Sequence, residues 1–519
     1  MKNINKILSL FLIAVLAIAC DDDYLNTSPT DQTGSATAFA STKNAAMAIN
    51  GILKIMTRQY SAGGQGFNGE GTIKMYFGNY PSEDIYINLP GWITVMNGAY
   101  VTNNASQYNY YPWYYYYRIV GDANSVILNI DDAEGPDNEK QFIKAQALTL
   151  RSYAFMMLAQ FYGNRWQDSD NGATKAIVLR LEPTIGEQDL STLAETYNQI
   201  YADLDEAIKL FTASKLKRNE NFSPDINVAY AVYARAAIDK QDYSKASEMA
   251  KKAREGYPLM SVADYKAGFC NPTSEWIWSS YGGTEETLYY YSFHAYMAYN
   301  SNASAVRSYP KCISKYLYNQ IPTSDIRKGF WLDPTGHGSY TASTGKAGST
   351  LDAYARNYVK ENCAPYALEA NATVYAYMQY KIACFANPGV AHLNHFRSSE
   401  MYLIEAESEY KMNNEAKAQS LLVELNKTSG RDPLYSCTKT GNDLYNEIKK
   451  YYKIELWGEG YDWFLKKRWN DSMVRRSYTD PEGNFSEATT FTLAPDANNK
   501  WTYVIPLKET DYNPAILGN

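Results

Sequence analysis

The chain of 519 residues is 45% apolar and 20% charged with a formal charge of −7, which supports a large buried core and excludes a disordered acidic tail. Its 49 Lys and Arg against 56 Asp and Glu leave no basic excess for a dedicated nucleic-acid binder, and a mean hydropathy of −0.45 argues against a membrane-spanning transporter. Tyrosine is the unusual number, 48 against 17 Phe, an investment in aromatic faces that carry a polar edge.

Lys2 and Lys6, followed by a mostly apolar stretch over 7–18, predict an export signal covering residues 1–19, too short to span a bilayer. Its end, Leu16-Ala17-Ile18-Ala19-Cys20, resembles a bacterial lipobox with the leucine displaced by one position. Cys20 is therefore the expected lipidation site, with a plain secretory signal as the alternative. Residues 20–33, which include Asp21-Asp22-Asp23, read as an acidic and polar tether.

Apolar residues at helical spacing predict helices over 41–58, 113–130, 137–162, 193–211 and 227–239. Consecutive helical residues point around the whole cylinder, so the run Tyr114-Tyr115-Tyr116-Tyr117 is expected mainly in the core. Small residues and a tight polar turn over 231–250 look like a tetratricopeptide helix pair, and a second pair is predicted at 396–411 and 414–427. Glu405, Glu407 and Glu409 alternate along that second pair and are expected in solvated or capping positions.

Between the pairs, residues 258–395 lose helical periodicity and gain Gly, Pro, Asn and Tyr. They hold 17 tyrosines, and 76–117 hold 11 more, so 28 of the 48 lie where loops on a scaffold would meet a ligand. Trp276 and Trp278 alternate within a strand-like EWIWSS segment and are assigned to the core.

Motifs for chemistry are weak. Gly64-Gln-Gly66-Phe-Asn-Gly69 matches GxGxxG but follows a predicted helix where a dinucleotide fold needs a strand, so no cofactor is expected. His392 and His395 lack an HExxH context and read as loop histidines, not a metal centre. Without Cys20, five cysteines remain, none in CxxC spacing, which predicts neither a disulfide framework nor a zinc ribbon. No carboxylate pair stands out for glycoside hydrolysis, and no catalytic residue is named.

In order along the chain, several segments resemble the SusD/RagB family of outer-membrane lipoproteins. Residues 39–53 look like its opening helix, ending near Asn50-Gly51. Trp113, Tyr117, Ala123 and Asn124 fit its W-x3-Y-x5-A-N helix, and residues 145–163 resemble its "A-x-flRAfayf-L-x2-fG" signature. FRSSEMYLIEAE at 396–407, Asn426 and Arg431 fit a later helix and the segment after it, and residues 505–519 resemble the family's closing pattern. The acidic cluster after Cys20 is similar to the signal that sends lipoproteins of Bacteroidota to the outer face of the outer membrane, a solvated linker being the alternative. One departure stands out: Asp462 occupies a position where the family commonly has Arg, and Leu465 one where it has Asp, so an internal Arg/Asp pairing is expected to be lost.

The resemblance implies a mostly α fold. A tetratricopeptide-like helical-pair scaffold over 34–257 and 396–519 would carry a loop-rich insertion at 258–395 and a few short strands, in one domain over 34–519. It also implies a non-enzymatic, lipid-anchored outer-membrane protein that binds an oligosaccharide and hands it to a SusC-like TonB-dependent transporter. Ligand-contacting aromatics would map onto Tyr86 and Trp92 as stacking platforms with Asn88 as a hydroxyl partner, and more loosely onto Tyr281, Tyr289, Tyr290, Tyr291 and Tyr296. A peptide-binding relative, a surface glycoside hydrolase and a purely structural transporter lid remain the alternatives.

Overall fold

The computed structural model describes residues 38–60, 67–183, 186–285, 292–363 and 365–517. The predicted signal, Cys20, the tether and Tyr289 to Tyr291 lie outside the described residues. The fold is mostly helical, with short two-stranded ladders.

Helix α1 (Thr42–Ile55) starts where the Ser41 side chain accepts a bond from the Asn44 amide, and it buries Ala45, Ile49 and Ile52. Strand β1 is Ile85–Tyr86. Helix α2 (Gln107–Asn129) begins before the predicted residue 113 and runs through Pro112, which cannot donate to the preceding turn. The Tyr162 hydroxyl repairs the break: it accepts from the Trp113 amide at 3.0 Å and donates to the Asn109 carbonyl at 2.5 Å. Tyr115 and Tyr116 are buried, as their placement on a helix requires.

Helix α3 (Asp137–Tyr162) matches its predicted span. It packs on α2 and on α4 (Leu193–Ser214), which opens with a capping box between Thr192 and Glu195. Arg151 of α3 ties the three together, donating to Asp203 of α4 at 2.6 and 2.7 Å and to Asn124 of α2 at 2.8 Å. Helices α5 (Ile226–Asp239) and α6 (Tyr243–Ala253) form the first predicted pair. Strand β2 (Trp276–Ser280) buries both tryptophans.

The insertion departs from expectation, because besides the short α7 (Phe293–Met297) and β3 (Cys312–Ile313) it contains α8 (Ser349–Asn362), a helix of 14 residues. Leu351, Ala355 and Val359 supply its buried stripe at i, i+4 and i+8. Strand β4 (Leu393–Arg397) pairs antiparallel with β2, and β1 pairs with β3. Helices α9 (Ser398–Lys411) and α10 (Glu415–Val423) form the second pair, and α9 packs against α6. Residues 396 and 397 thus belong to a strand rather than to the predicted helix, and His395 is a buried strand residue rather than a loop one. Helices α11 (Gly441–Glu455) and α12 (Asp462–Trp469) complete the scaffold.

Glu405 and Glu407 correct the expectation of solvated positions. Both are buried, because Arg254 reaches Glu405 at 2.6 Å and Arg468 reaches Glu407 at 2.5 Å from neighbouring helices. Half-exposed Glu409 accepts from Ser247 at 2.6 Å.

The centre of the molecule is ionic. Glu455 meets Arg327 at 2.6 Å and Arg397 at 2.7 Å, and Arg431 Nε lies 3.2 Å away as an ion pair without hydrogen-bond alignment. Arg397 and Arg431 also grip Glu275 at 2.7 and 2.8 Å; Glu459 pairs with Arg397 and Lys381, and Asp325 with Arg327. Four acids face four bases, so the buried charge balances. Burial alone would raise Glu455, yet Arg431, Arg397 and Arg327 hold its carboxyl well below the usual range. Removing one member strands its partners in a dry core. Glu455→Gln is therefore expected to lower unfolding free energy by about 3–5 kcal/mol in urea titrations, and a loss under about 1 kcal/mol would contradict this role.

Candidate ligand-binding surface

The segment over 80–92 leaves a π-helical stretch, Ile73–Asn79, that the C-terminal region clamps. Asn79 donates to the Gly458 carbonyl at 2.7 Å and accepts from the Gly460 amide at 2.8 Å. Gly78 packs so closely here that a Cβ would fall 2.2 Å from the Gly460 carbonyl oxygen, which excludes any side chain. Arg475 donates to the carbonyls of Tyr80 and Ser82, and the Trp457 indole donates to that of Asp84 at 2.9 Å. Strand β1 then pairs with β3, so the chain reaches Asn88 and Trp92 on a fixed base.

Trp92 ends a 3₁₀ turn, Pro90–Trp92, half-buried. Its ring lies 5.2 Å from Tyr76, 6.2 Å from Tyr80 and 6.3 Å from Tyr296 of α7, which is also half-buried. Two stretches far apart in sequence thus contribute one aromatic surface. Below it, buried Lys311 sits 5.6 Å from the Tyr80 ring centre and 6.0 Å from that of Tyr296. Its ammonium donates to the carbonyls of Ala305 at 2.7 Å and Tyr309 at 3.0 Å, and burial pulls its pKa down to about 7. Half-buried Asn88 donates weakly to the Tyr375 hydroxyl at 3.4 Å.

Tyr86 is not a platform. It is 1% exposed, donates its hydroxyl to the Thr344 carbonyl at 2.9 Å and packs edge-on against Phe485, so its ring has no face for a ligand. Tyr281 is exposed but stands elsewhere, against Phe222 and His392, beside a hollow of about 420 Å³ that Ser280, Phe293 and His294 help to line. Helix α7 separates the two places, turning Phe293 and His294 to the hollow and Tyr296 to Trp92. Tyr76, Tyr80, Tyr375 and Lys311 escaped the sequence reading. The density of tyrosine at 76–117 included the first two, but no periodicity marks which tyrosines converge.

A serine and a histidine do meet in this region, Ser280 Oγ and His395 Nε2 at 2.7 Å. His395 Nδ1 has no partner to orient it, and burial together with Lys74 and Arg235 drives its pKa well below the usual value. This imidazole is a poor proton acceptor, and the pair is a structural hydrogen bond. Among the described residues, no group of three His, Cys, Asp or Glu side chains is placed to hold a metal ion.

Asp462, at the family departure, lies under the start of the loop. Its carboxylate accepts from the Ser82 hydroxyl, and Leu465 is buried nearby on the same helix. Burial and neighbouring Asp84 push the Asp462 pKa up to about 7, against the attraction of Lys453. Glu83, by contrast, is held below its usual value by Lys453 and Lys466 despite burial.

Residues 23–238 match a SusD-like family described as starch-binding and associating with the outer membrane, and residues 235–519 match the SusD family. The two matches meet inside α5, so their border marks no break in the fold. Among solved structures, the chain is similar to a SusD-like carbohydrate binding protein from Bacteroides vulgatus ATCC 8482, at 21% identity and a TM-score of 0.74 over 92% of this chain and 98% of that one. It is also similar to SusD superfamily proteins from Bacteroides thetaiotaomicron VPI-5482 (19%, TM-score 0.66) and Bacteroides fragilis (18%, 0.67), each over 92% of this chain and 99% of the other. At these identities the likeness is one of fold. No curated protein matches the chain.

The Asp462 carboxyl yields a pH test. Because its folded pKa is raised above the ordinary 3.8, the folded state holds the proton longer and loses stability as pH climbs towards about 7. Asp462→Asn keeps an acceptor for Ser82 and removes the charge. Thermal unfolding of this variant is expected to vary less between about pH 5 and 8 and to gain about 1–2 kcal/mol at the upper end; a variant less stable than the parent at about pH 8 contradicts the assignment.

Proposed function

Because the chain belongs to the SusD family, we propose that it is a cell-surface glycan-binding lipoprotein that captures oligosaccharides on the Trp92–Tyr296 surface and delivers them to a SusC-like TonB-dependent transporter. The convergence of these two half-buried rings, 6.3 Å apart on a clamped base, carries the reading. A pyranose presents an apolar C–H face to such rings while its hydroxyls reach phenols and amides, here those of Tyr375 and Asn88. A ring cluster on the surface accepts repeating units without demanding one sequence of sugars. Among the described residues no helix is long and apolar enough to cross a membrane; in this reading acylated Cys20 supplies the attachment and faces the domain outward. The family description, starch-binding and associating with the outer membrane, supports the ligand class and the location. Tyr281 would form a second, looser contact region.

Calorimetry against a glycan panel is the test. Trp92→Ala and Tyr296→Ala are expected to weaken the best ligand by about tenfold or more in a protein that remains folded. Tyr86→Phe is expected to leave affinity unchanged and to lower stability by about 1 kcal/mol. Absence of binding to every glycan, with binding to an oligopeptide panel instead, would overturn the carbohydrate assignment.

A further inference from the structure

Away from Trp92, two hollows abut where the C-terminal end of α3 meets α5 and α12. The outer one, about 400 Å³, is lined by Trp166, Tyr197 and Phe464 with Gln160, Asn164 and Gln241. The inner one, about 520 Å³, shares Gln160, Phe464 and Arg468 with it and reaches Glu70, Arg235 and Tyr452. Neither includes Trp92 or Tyr296. The π-helical stretch separates the two regions, presenting Ile73 and Lys74 to the inner hollow and Tyr76 to the Trp92 surface, which Tyr80 joins just after it.

The polar groups at the outer mouth are mostly engaged with one another. Arg165 pairs with Asp168 at 2.7 Å and Arg468 with Glu407 at 2.5 Å; Asp239 accepts from Gln160 at 2.5 Å. The Lys467 ammonium is spent on the carbonyls of Gln160 and Gly163, both at 2.6 Å. The neutral amides of Asn164 and Gln241 beside aromatic rings suit an uncharged polyhydroxyl compound. Further in, the Tyr452 hydroxyl and the Arg468 guanidinium on the hollow's lining interact with each other, while Glu70 Oε1 is buried without an aligned hydrogen bond. The Tyr115 and Tyr116 hydroxyls surround the Glu70 carboxyl without an aligned bond. A buried carboxyl oxygen without an aligned partner beside a hollow is a place for an occupant that brings a hydroxyl or water.

We propose that this double hollow is a second binding site, for a single neutral sugar ring, with the ring beside Trp166 and Phe464 and its hydroxyls directed towards the shared Gln160–Arg468 wall. Such a site takes one free or terminal monosaccharide and is independent of the platform at Trp92.

Saturation-transfer NMR and calorimetry with the methyl glycosides of glucose, galactose, mannose and N-acetylglucosamine test it. Trp166→Ala is expected to weaken the bound monosaccharide by about tenfold. Asn164→Trp, which fills the mouth while leaving its aromatic wall in place, is expected to abolish binding in a folded protein. Trp92→Ala is expected to leave it unchanged. If none of the four glycosides binds, or if binding survives both mouth variants and is lost in Trp92→Ala, the second site is overturned; oligosaccharide binding at Trp92 is read separately and can stand or fall alone.

Discussion

The buried ionic centre around Glu455 is the constraint on which the other layers of the structure depend. Its members come from the insertion (Glu275, Asp325, Arg327, Lys381), from β4 (Arg397), from beyond α10 (Arg431) and from the end of α11 onward (Glu455, Glu459). Desolvating eight charges is costly, and only their mutual geometry offsets it. The arrangement therefore tolerates one placement of the insertion on the scaffold, and that specificity holds β2 against β4 and the C-terminal segment against the π-helical stretch.

The candidate surface inherits its rigidity from this centre. Glu459 belongs to the ionic network, while its neighbours Gly458 and Gly460 clamp Asn79, and Trp457 holds Asp84. The loop that carries Trp92 thus rises directly from the clamp. Ligand recognition by stacking requires rings that do not pay a large ordering cost on binding, and an aromatic cluster anchored in this way is already ordered.

Many of the tyrosines are used inside. Tyr86, Tyr100, Tyr117, Tyr162 and Tyr358 each direct a hydroxyl to a main-chain carbonyl. A phenol fills a core position while satisfying an irregular backbone, which phenylalanine cannot do. This explains why composition alone overstated the ligand surface, and why Tyr86, in a loop rich in binding-type residues, lies in the core. The helices of the scaffold were legible because their apolar stripes repeat at 3.6 residues, and α3 even in its bounds. The start of α2 was not, because the bond that carries it past Pro112 comes from Tyr162, a residue of another helix. Glu405 and Glu407 were misjudged for the same reason: their partners, Arg254 and Arg468, are distant in sequence.

What the sequence by itself determined is the family, the helical class and the paired helices, since these follow from local periodicity and ordered motifs. Only the tertiary structure decided which aromatics converge. Trp92 and Tyr296 meet, Tyr281 stands apart, Tyr86 is enclosed and Asp462 is buried beneath the loop, because each outcome depends on contacts between segments remote along the chain, and no local pattern encodes them.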